Sequence, residues 1–299
     1  MDGILNVNKP AGITSFDVVA KIRRLTGTKK VGHAGTLDPM ASGVLPVCAG
    51  KATKIIEFLM EKDKSYRVGL VLGRATDTQD ATGTTVYEKP VTASDEEIER
   101  VIGGFVGERE QTPPMYSAVR VNGKRLYELA RRGIEIERKP RNVTFYDIAL
   151  LGIERRGHEV GVIMDVDCSK GTYMRTLCHD IGEKLGCGGH MSSLVRTRSG
   201  PFSIENSYTI DCLAALKENN RLESAFMDMD KALAHLPEVH VSHGEAIRLK
   251  NGCTVPFKIA PGLYRLYHEN GYFLGIAAAF EQDHTTMLKA RKWIGHESL

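Results

Sequence analysis

The chain has 299 residues, 42% of them hydrophobic, and 40 basic against 37 acidic side chains give a net charge of +3. That length suits a large domain with a small companion, or two medium domains, and the apolar content excludes a disordered chain. The charge is too small to mark the whole molecule as a nucleic-acid binder, so basic residues count only where they cluster. The cysteines, Cys48, Cys168, Cys178, Cys187, Cys212 and Cys253, form no C-x-x-C pair, which removes the zinc and thioredoxin patterns. Met1-Asp2-Gly3 lacks the regions of a secretion signal, and no apolar run nears the ~20 residues that span a bilayer. A soluble, cytoplasmic monomer is expected.

Ile4 to Val7 reads as a short strand stopped by Lys9-Pro10. Ser15 is a fair N-cap for a helix from Phe16 to Leu25, ended by Gly27. Around its end lie Lys21, Arg23, Arg24, Lys29 and Lys30, with no acid between the first and last. Compensating a helix dipole needs fewer cations, so a phosphate contact is expected there.

Gly32 to Lys54 is the most shaped stretch, with four glycines and two prolines around a single carboxylate, Asp38. A rigid loop presenting one acid, flanked by His33 and Thr36, is how folds hold a reactive group. The plain alternative is an ordinary Asp-Pro turn. Gly50-Lys51 does not complete a phosphate-cradling loop, because Leu45 and Ala52 stand where that motif needs Gly and Ser or Thr. Val44 to Cys48 reads as a strand and Ala52 to Met60 as a helix.

Tyr66, Val68, Leu70 and Leu72 share one strand face by period two, and on spacing alone Tyr66 is a packing residue. Arg74 to Thr85, with Asp77 and Asp80, reads as a surface turn. Ser94-Asp95-Glu96-Glu97 is a capping box opening a helix to Gly103. Gln111-Thr112-Pro113-Pro114 breaks the pattern. From Lys124 to Arg141, seven basic residues meet three acidic ones, with Lys124, Arg125, Arg131 and Arg132 at its start. With Tyr116 and Tyr127 interleaved, this favours an RNA-gripping arm over a merely solvated helix face.

Strands are expected over Asn142 to Ile153 and Glu159 to Cys168, the second alternating Val160, Val162, Met164, Val166 and Cys168. Thr172 should cap a helix to Leu185, with Arg175 in its first turn. The dipole disfavours a cation there, which suggests an anionic partner; a surface arginine is the equal alternative. Leu194 reads as ordinary core. Thr209 to Leu236 reads as helices broken at Asn219-Asn220, with a boundary near Leu236-Pro237. Beyond it, Glu269-Asn270-Gly271 is a type I′ hairpin signal between Leu263–Tyr267 and Tyr272–Ile276, and Met287 to Ile294 a last strand. His235, His240 and His243 read as surface residues rather than metal ligands.

His33 through Gly50 resembles the catalytic motif of the bacterial tRNA pseudouridine-55 synthases, the TruB family. The likeness continues through Asn8-Lys9-Pro10, Ser65-Tyr66-Arg67-Val68, Ser169 through Arg175 and Gly189 through Leu194. It implies an α+β pseudouridine-synthase fold with a central mixed, mainly antiparallel sheet flanked by helices and loops. Residues 1–236 would form the catalytic domain, with an RNA-gripping insertion at about 111–147, and 237–299 a small β-rich PUA-like domain. It also implies isomerisation of uridine to pseudouridine in the T loop of tRNA. Asp38 would be the nucleophile, Arg175 its ion-pair partner, Tyr66 the ring stacked on the base, and Tyr173 and Leu194 further pocket walls. His33 would fill the gap left by the flipped uridine.

The chemistry agrees with a single acid. Moving a glycosidic bond from N1 to C5 oxidises nothing and consumes nothing, so no cofactor or metal is called for. A glycoside hydrolase usually needs two carboxylates astride the bond. An arginine beside Asp38 should hold its pKa low. The alternative reading is a non-catalytic tRNA-binding or RNA-folding protein.

Overall fold

Period-two alternation builds the centre of the molecule. In the Glu159–Cys168 strand, Val160, Val162, Met164, Val166 and Cys168 are all buried, and so are Tyr66, Val68, Leu70 and Leu72 of Lys64–Leu72. The register sets Val166 opposite Tyr66 and Met164 opposite Val68, so one face of the sheet is continuously apolar. The computed structural model describes residues 1–117, 119–121, 123–130 and 132–295.

The main sheet has ten strands among the described residues. Its path runs Phe226–Met227, Gly3–Lys9, Ser42–Ala49, Gly189–Ser199, Lys64–Leu72, Glu159–Cys168, Arg141–Arg156, Gly107–Gln111. Val31–His33 and Phe202–Ser203 pair beside it. Every pairing is antiparallel except Ser42–Ala49 with Gly189–Ser199, where Val195 lies opposite Ser42 and Arg196 opposite Gly43. That junction is tight: a Cβ on Gly43, whose φ is 100°, would lie 2.3 Å from the Arg196 carbonyl oxygen. The fold is thus α+β, with a mixed, mainly antiparallel sheet.

Three helices pack on this sheet by apolar stripes. Ser15–Thr26 buries Val18, Val19 and Ile22, Asp95–Gly103 buries Ile98 and Ile102, and Met174–Lys184 buries Leu177, Cys178 and Ile181. Ser94 and Glu97 form the expected capping box. Two other caps differ from expectation by one residue. Thr14, not Ser15, caps the first helix, because its hydroxyl and Asp17 exchange the capping bonds, leaving Ser15 free to bond elsewhere. Tyr173, not Thr172, precedes Met174–Lys184, and the Thr172 hydroxyl donates to the Ser169 carbonyl instead. Gly50–Ile55 is a 3₁₀ turn leading into a short helix, Ile56–Met60, where one continuous helix was expected. Gly189–Ser199, which carries no clear strand pattern in sequence, is a central strand bent by register shifts.

Beyond Leu236 a second sheet of five strands runs Glu238–Val241, Gly262–His268, Phe273–Gln282, Thr285–Trp293, Val255–Pro256. Its hairpin falls where expected, but the turn is not type I′. That turn needs two left-handed residues, and here Gly271 (φ 88°) is left-handed while Asn270 is not. The sheet has its own core around Val239, Leu249, Leu266 and Leu288. Ile276 and Ile294 face the other way and pack with Ile4, Val44, Ile55 and Leu233 of the larger part. Lys54 donates to the Trp293 carbonyl at 2.8 Å, and Lys292 pairs with Glu57 at 2.7 Å across the same seam. No helix among the described residues is long and apolar enough to cross a membrane.

Candidate active site

Four elements carry the site. The Leu37–Ala41 loop precedes the Ser42–Ala49 strand, the Lys64–Leu72 strand supplies Tyr66, the start of Met174–Lys184 supplies Tyr173 and Arg175, and the Gly189–Ser199 strand supplies Leu194. They meet around a pocket of about 100 Å³ lined by Thr36, Asp38, Tyr66, Tyr173, Arg175 and Leu194, among others. Cavities that enclose drug-sized ligands run to ~300–1,000 Å³, so this one has room for a single flat ring. A larger cavity, about 260 Å³, lies at the sheet edge beside Glu108, Glu110 and Asp180. Three carboxylates against one cation, Arg109, make it a poor seat for a phosphate backbone, and none of the candidate residues lines it.

Arg175 is 5% exposed and forms an ion pair with Asp38, its Nε lying 3.0 Å from Oδ2; the Asp38 side chain keeps 35% of its surface open. The arginine is fixed from two further sides. Its Nη2 donates to the Tyr116 carbonyl at 2.7 Å, and Nη1 lies 3.8 Å from Asp80 Oδ2. The disfavoured first-turn cation therefore does have an anionic partner.

Asp80, expected in a surface turn, is buried instead. Its Oδ1 accepts from the Thr78 and Thr82 hydroxyls and the Thr82 N–H, at 2.8, 2.6 and 2.9 Å. The turn is stitched to the central sheet, because Met191 donates to the Gln79 carbonyl and accepts from the Ala81 N–H. A Thr-Gln-Asp-Ala-Thr run looks like any solvated turn, and nothing local could have revealed its distant partner.

The charge state of Asp38 also corrects an expectation. Burial pushes its carboxyl above the usual aspartate range, Arg175 pulls it back, Asp80 pushes it further up, and Lys9 pulls it down. Burial outweighs the ion pair, so the net direction is upward. Tyr66 is raised as well, chiefly by burial, with Arg196 opposing. It therefore stays a neutral phenol.

Two buried cations hold the acid's loop by its carbonyls. Lys9 Nζ donates to Ile13 and Ala41 at 2.7 Å, to Pro10 at 2.9 Å and to Pro39 at 3.2 Å. Burial lowers its pKa to about 8, against the pull of Asp38. Arg196, 1% exposed, donates to Val44 at 2.7 Å, Gly35 at 3.0 Å and Thr36 at 3.4 Å. In the sequence Lys9 marks only the end of a strand, and nothing singles out Arg196. An arginine in a strand beside polar neighbours gives no sign that its guanidinium will reach carbonyls some 150 residues earlier.

A third support comes from Gln111. Its amide donates to the Tyr173 carbonyl at 3.0 Å and accepts from the Tyr173 N–H at 2.7 Å. It was read only as part of an interruption.

His33 stands apart from the pocket lining. It ends the Val31–His33 strand and meets the Phe16 ring edge-on, 5.6 Å between centroids. Burial, with help from Arg196, lowers its pKa, so the ring is neutral at neutral pH. Of the basic arm, Arg120–Val121 pairs with Lys124–Arg125 as a small hairpin, followed by the helix Leu126–Ala130. The side chains of Lys124 and Arg125, and all of Arg131, lie outside the described residues; Arg132 is exposed.

The α+β fold, with its large mixed sheet, is that of a pseudouridine synthase. The family model for the N-terminal domain of TruB family pseudouridylate synthase matches residues 23–174, and two further models for TruB C-terminal regions match 175–234 and 237–284. The chain therefore belongs to the TruB family. It is 50% identical to the tRNA pseudouridine synthase B of Bacillus subtilis over 255 residues, 84% of this chain and 82% of that protein. It is 47% identical to that of Clostridium kluyveri over 282 residues, 92% and 95% of the two chains. Among solved structures, a Cbf5-Nop10-Gar1 complex superposes with a TM-score of 0.74 at 30% identity, covering 98% of this chain and 85% of that one. An H/ACA RNP bound to a substrate RNA containing 2′-deoxyuridine gives 0.73 at 27%, covering 99% and 86%.

Proposed function

We propose that this protein converts uridine to pseudouridine in the T loop of tRNA, at position 55, with Asp38 as the acid that acts on the ribosyl carbon. The observation that carries the reading is the Asp38–Arg175 pair, 3.0 Å apart, at the mouth of a pocket that admits one ring. The names of the relatives in Bacillus subtilis and Clostridium kluyveri support tRNA as the substrate.

In the reaction the N1–C1′ bond breaks, the freed base turns, and a C5–C1′ bond forms; the proton lost from C5 is balanced by one gained at N1. An anion beside C1′ stabilises the positive charge that develops there. Arg175 orients that anion and keeps part of its charge against the burial. Tyr66 and Leu194, both under 10% exposed, give the base an apolar wall that excludes water while it is detached. A stacked uridine must first leave its loop, which costs a few kcal/mol. The neutral ring of His33 is suited to fill the space it vacates.

The test is to map pseudouridine in an unmodified tRNA transcript incubated with the protein alone. One new pseudouridine at the T-loop position is expected, and none with Asp38→Asn, which should still bind the RNA. Full activity in Asp38→Asn would remove the acid from the chemistry. Release of free uracil would mean a hydrolase.

A further inference from the structure

The Phe16 ring is 64% exposed, beside the loop that carries Asp38. Single exposed apolar residues are common and mean little alone. This one is held in place by its neighbours. The Gly12 N–H donates to the Pro39 carbonyl at 2.8 Å, and the Ser15 hydroxyl both donates to the Leu37 carbonyl (3.1 Å) and accepts from the Leu37 N–H (3.0 Å). The segment leading into Phe16 is thus bonded to the residues on either side of Asp38. Phe16 then meets His33 edge-on, at an interplanar angle of 85°. His33 Nδ1 is buried without a hydrogen-bond partner. Seven residues on, two turns or about 10 Å along the helix, Arg23 returns to the Phe16 side and is exposed.

We propose that Phe16, backed by His33, is a stacking surface for a second, unpaired nucleobase of the bound RNA, with Arg23 meeting the phosphate backbone beyond it. The proposal rests on the reading of the chain as an enzyme acting on RNA and deepens it, since it gives the loop a contact outside the pocket. Aromatic rings accept any base by its π-face, and a cation on the same side follows the strand. The ring is fixed by the catalytic loop itself, so stacking there sets the distance between a loop base and Asp38.

The experiment measures binding of a T-arm stem-loop RNA carrying 2-aminopurine in its loop, in the Asp38→Asn background so that no turnover intervenes. Phe16→Ala should weaken binding about tenfold and relieve quenching of the fluorescent base, whereas Phe16→Trp should keep both. In the otherwise unaltered enzyme the loss should appear in KM rather than kcat. A merely structural Phe16 would instead lower the thermal midpoint and leave the affinity of the folded protein unchanged. Binding by Phe16→Ala within twofold of its parent, or an equal loss in Phe16→Trp, overturns the proposal. If the unaltered protein makes no pseudouridine yet Phe16→Ala weakens binding, the stacking surface stands and the isomerase reading falls. If it makes pseudouridine and Phe16→Ala binds as its parent does, the stacking surface alone falls.

Discussion

At the scale of residues, the site is a balance between desolvation and a few charges. In the proposed reaction Asp38 acts as an anion, and burial has raised its pKa. Its contribution is therefore present above that raised value and lost as pH falls through it. Asp80 is one of the two raising influences, so Asp80→Asn should move the acid limb of kcat/KM to lower pH. Arg175→Met removes the larger of the two lowering influences and should move that limb to higher pH. It should also cost on the order of 100-fold in rate, the usual scale for losing one preorganised donor. Single-turnover rates against pH would show both directions. Lys9 serves the same loop by structure. Lys9→Met leaves four carbonyls without their buried donor and should destabilise the protein by on the order of 3 kcal/mol in urea unfolding.

At the scale of elements, the entry to the arm is tied to the start of the Met174–Lys184 helix. Gln111 ends an edge strand of the sheet and grips both backbone groups of Tyr173, while the Tyr116 carbonyl accepts a hydrogen bond from Arg175. The segment that leads into the basic arm therefore helps to set the angle at which Arg175 meets Asp38. Gln111→Ala should lower kcat about tenfold or more, because small displacements of a positioned group are costly. RNA affinity should change much less. Single-turnover kinetics beside a binding isotherm separate the two, and a loss confined to affinity would remove Gln111 from positioning.

At the scale of the whole molecule, the two sheets share apolar packing. Ile276 belongs to the smaller sheet, yet it is fully buried among Ile4, Val44, Ile55 and Leu233 of the larger part. Ile276→Ala should cost about 2–4 kcal/mol and do so in one cooperative thermal transition seen by probes in either sheet. Two separate transitions would mean that the seam contributes little. The smaller part has nearly balanced charge, seven basic residues against six acidic from Pro237 to the end. Its packing role is thus better supported by the structure than a strong electrostatic grip on RNA.

What the sequence determined by itself was whatever depends on near neighbours. Period-two runs such as Val160 to Cys168 identified strands and their buried faces, because alternation is a local geometric fact. Ser94 and Glu97 marked a helix start for the same reason, and Asp38 stood out through the glycines and prolines that shape its own loop. The members of the pocket, Asp38, Tyr66, Tyr173, Arg175 and Leu194, were named by their likeness to the TruB family rather than by spacing. Only the tertiary structure decided how far the charge on Asp38 is opposed, since that depends on how many atoms exclude water around it. It alone brought Asp80 and Arg196 to the site, through contacts spanning about a hundred residues or more. A side chain's distant partner leaves no mark on its neighbours in the chain, and so the acid could be read from the sequence while the network that holds it could not.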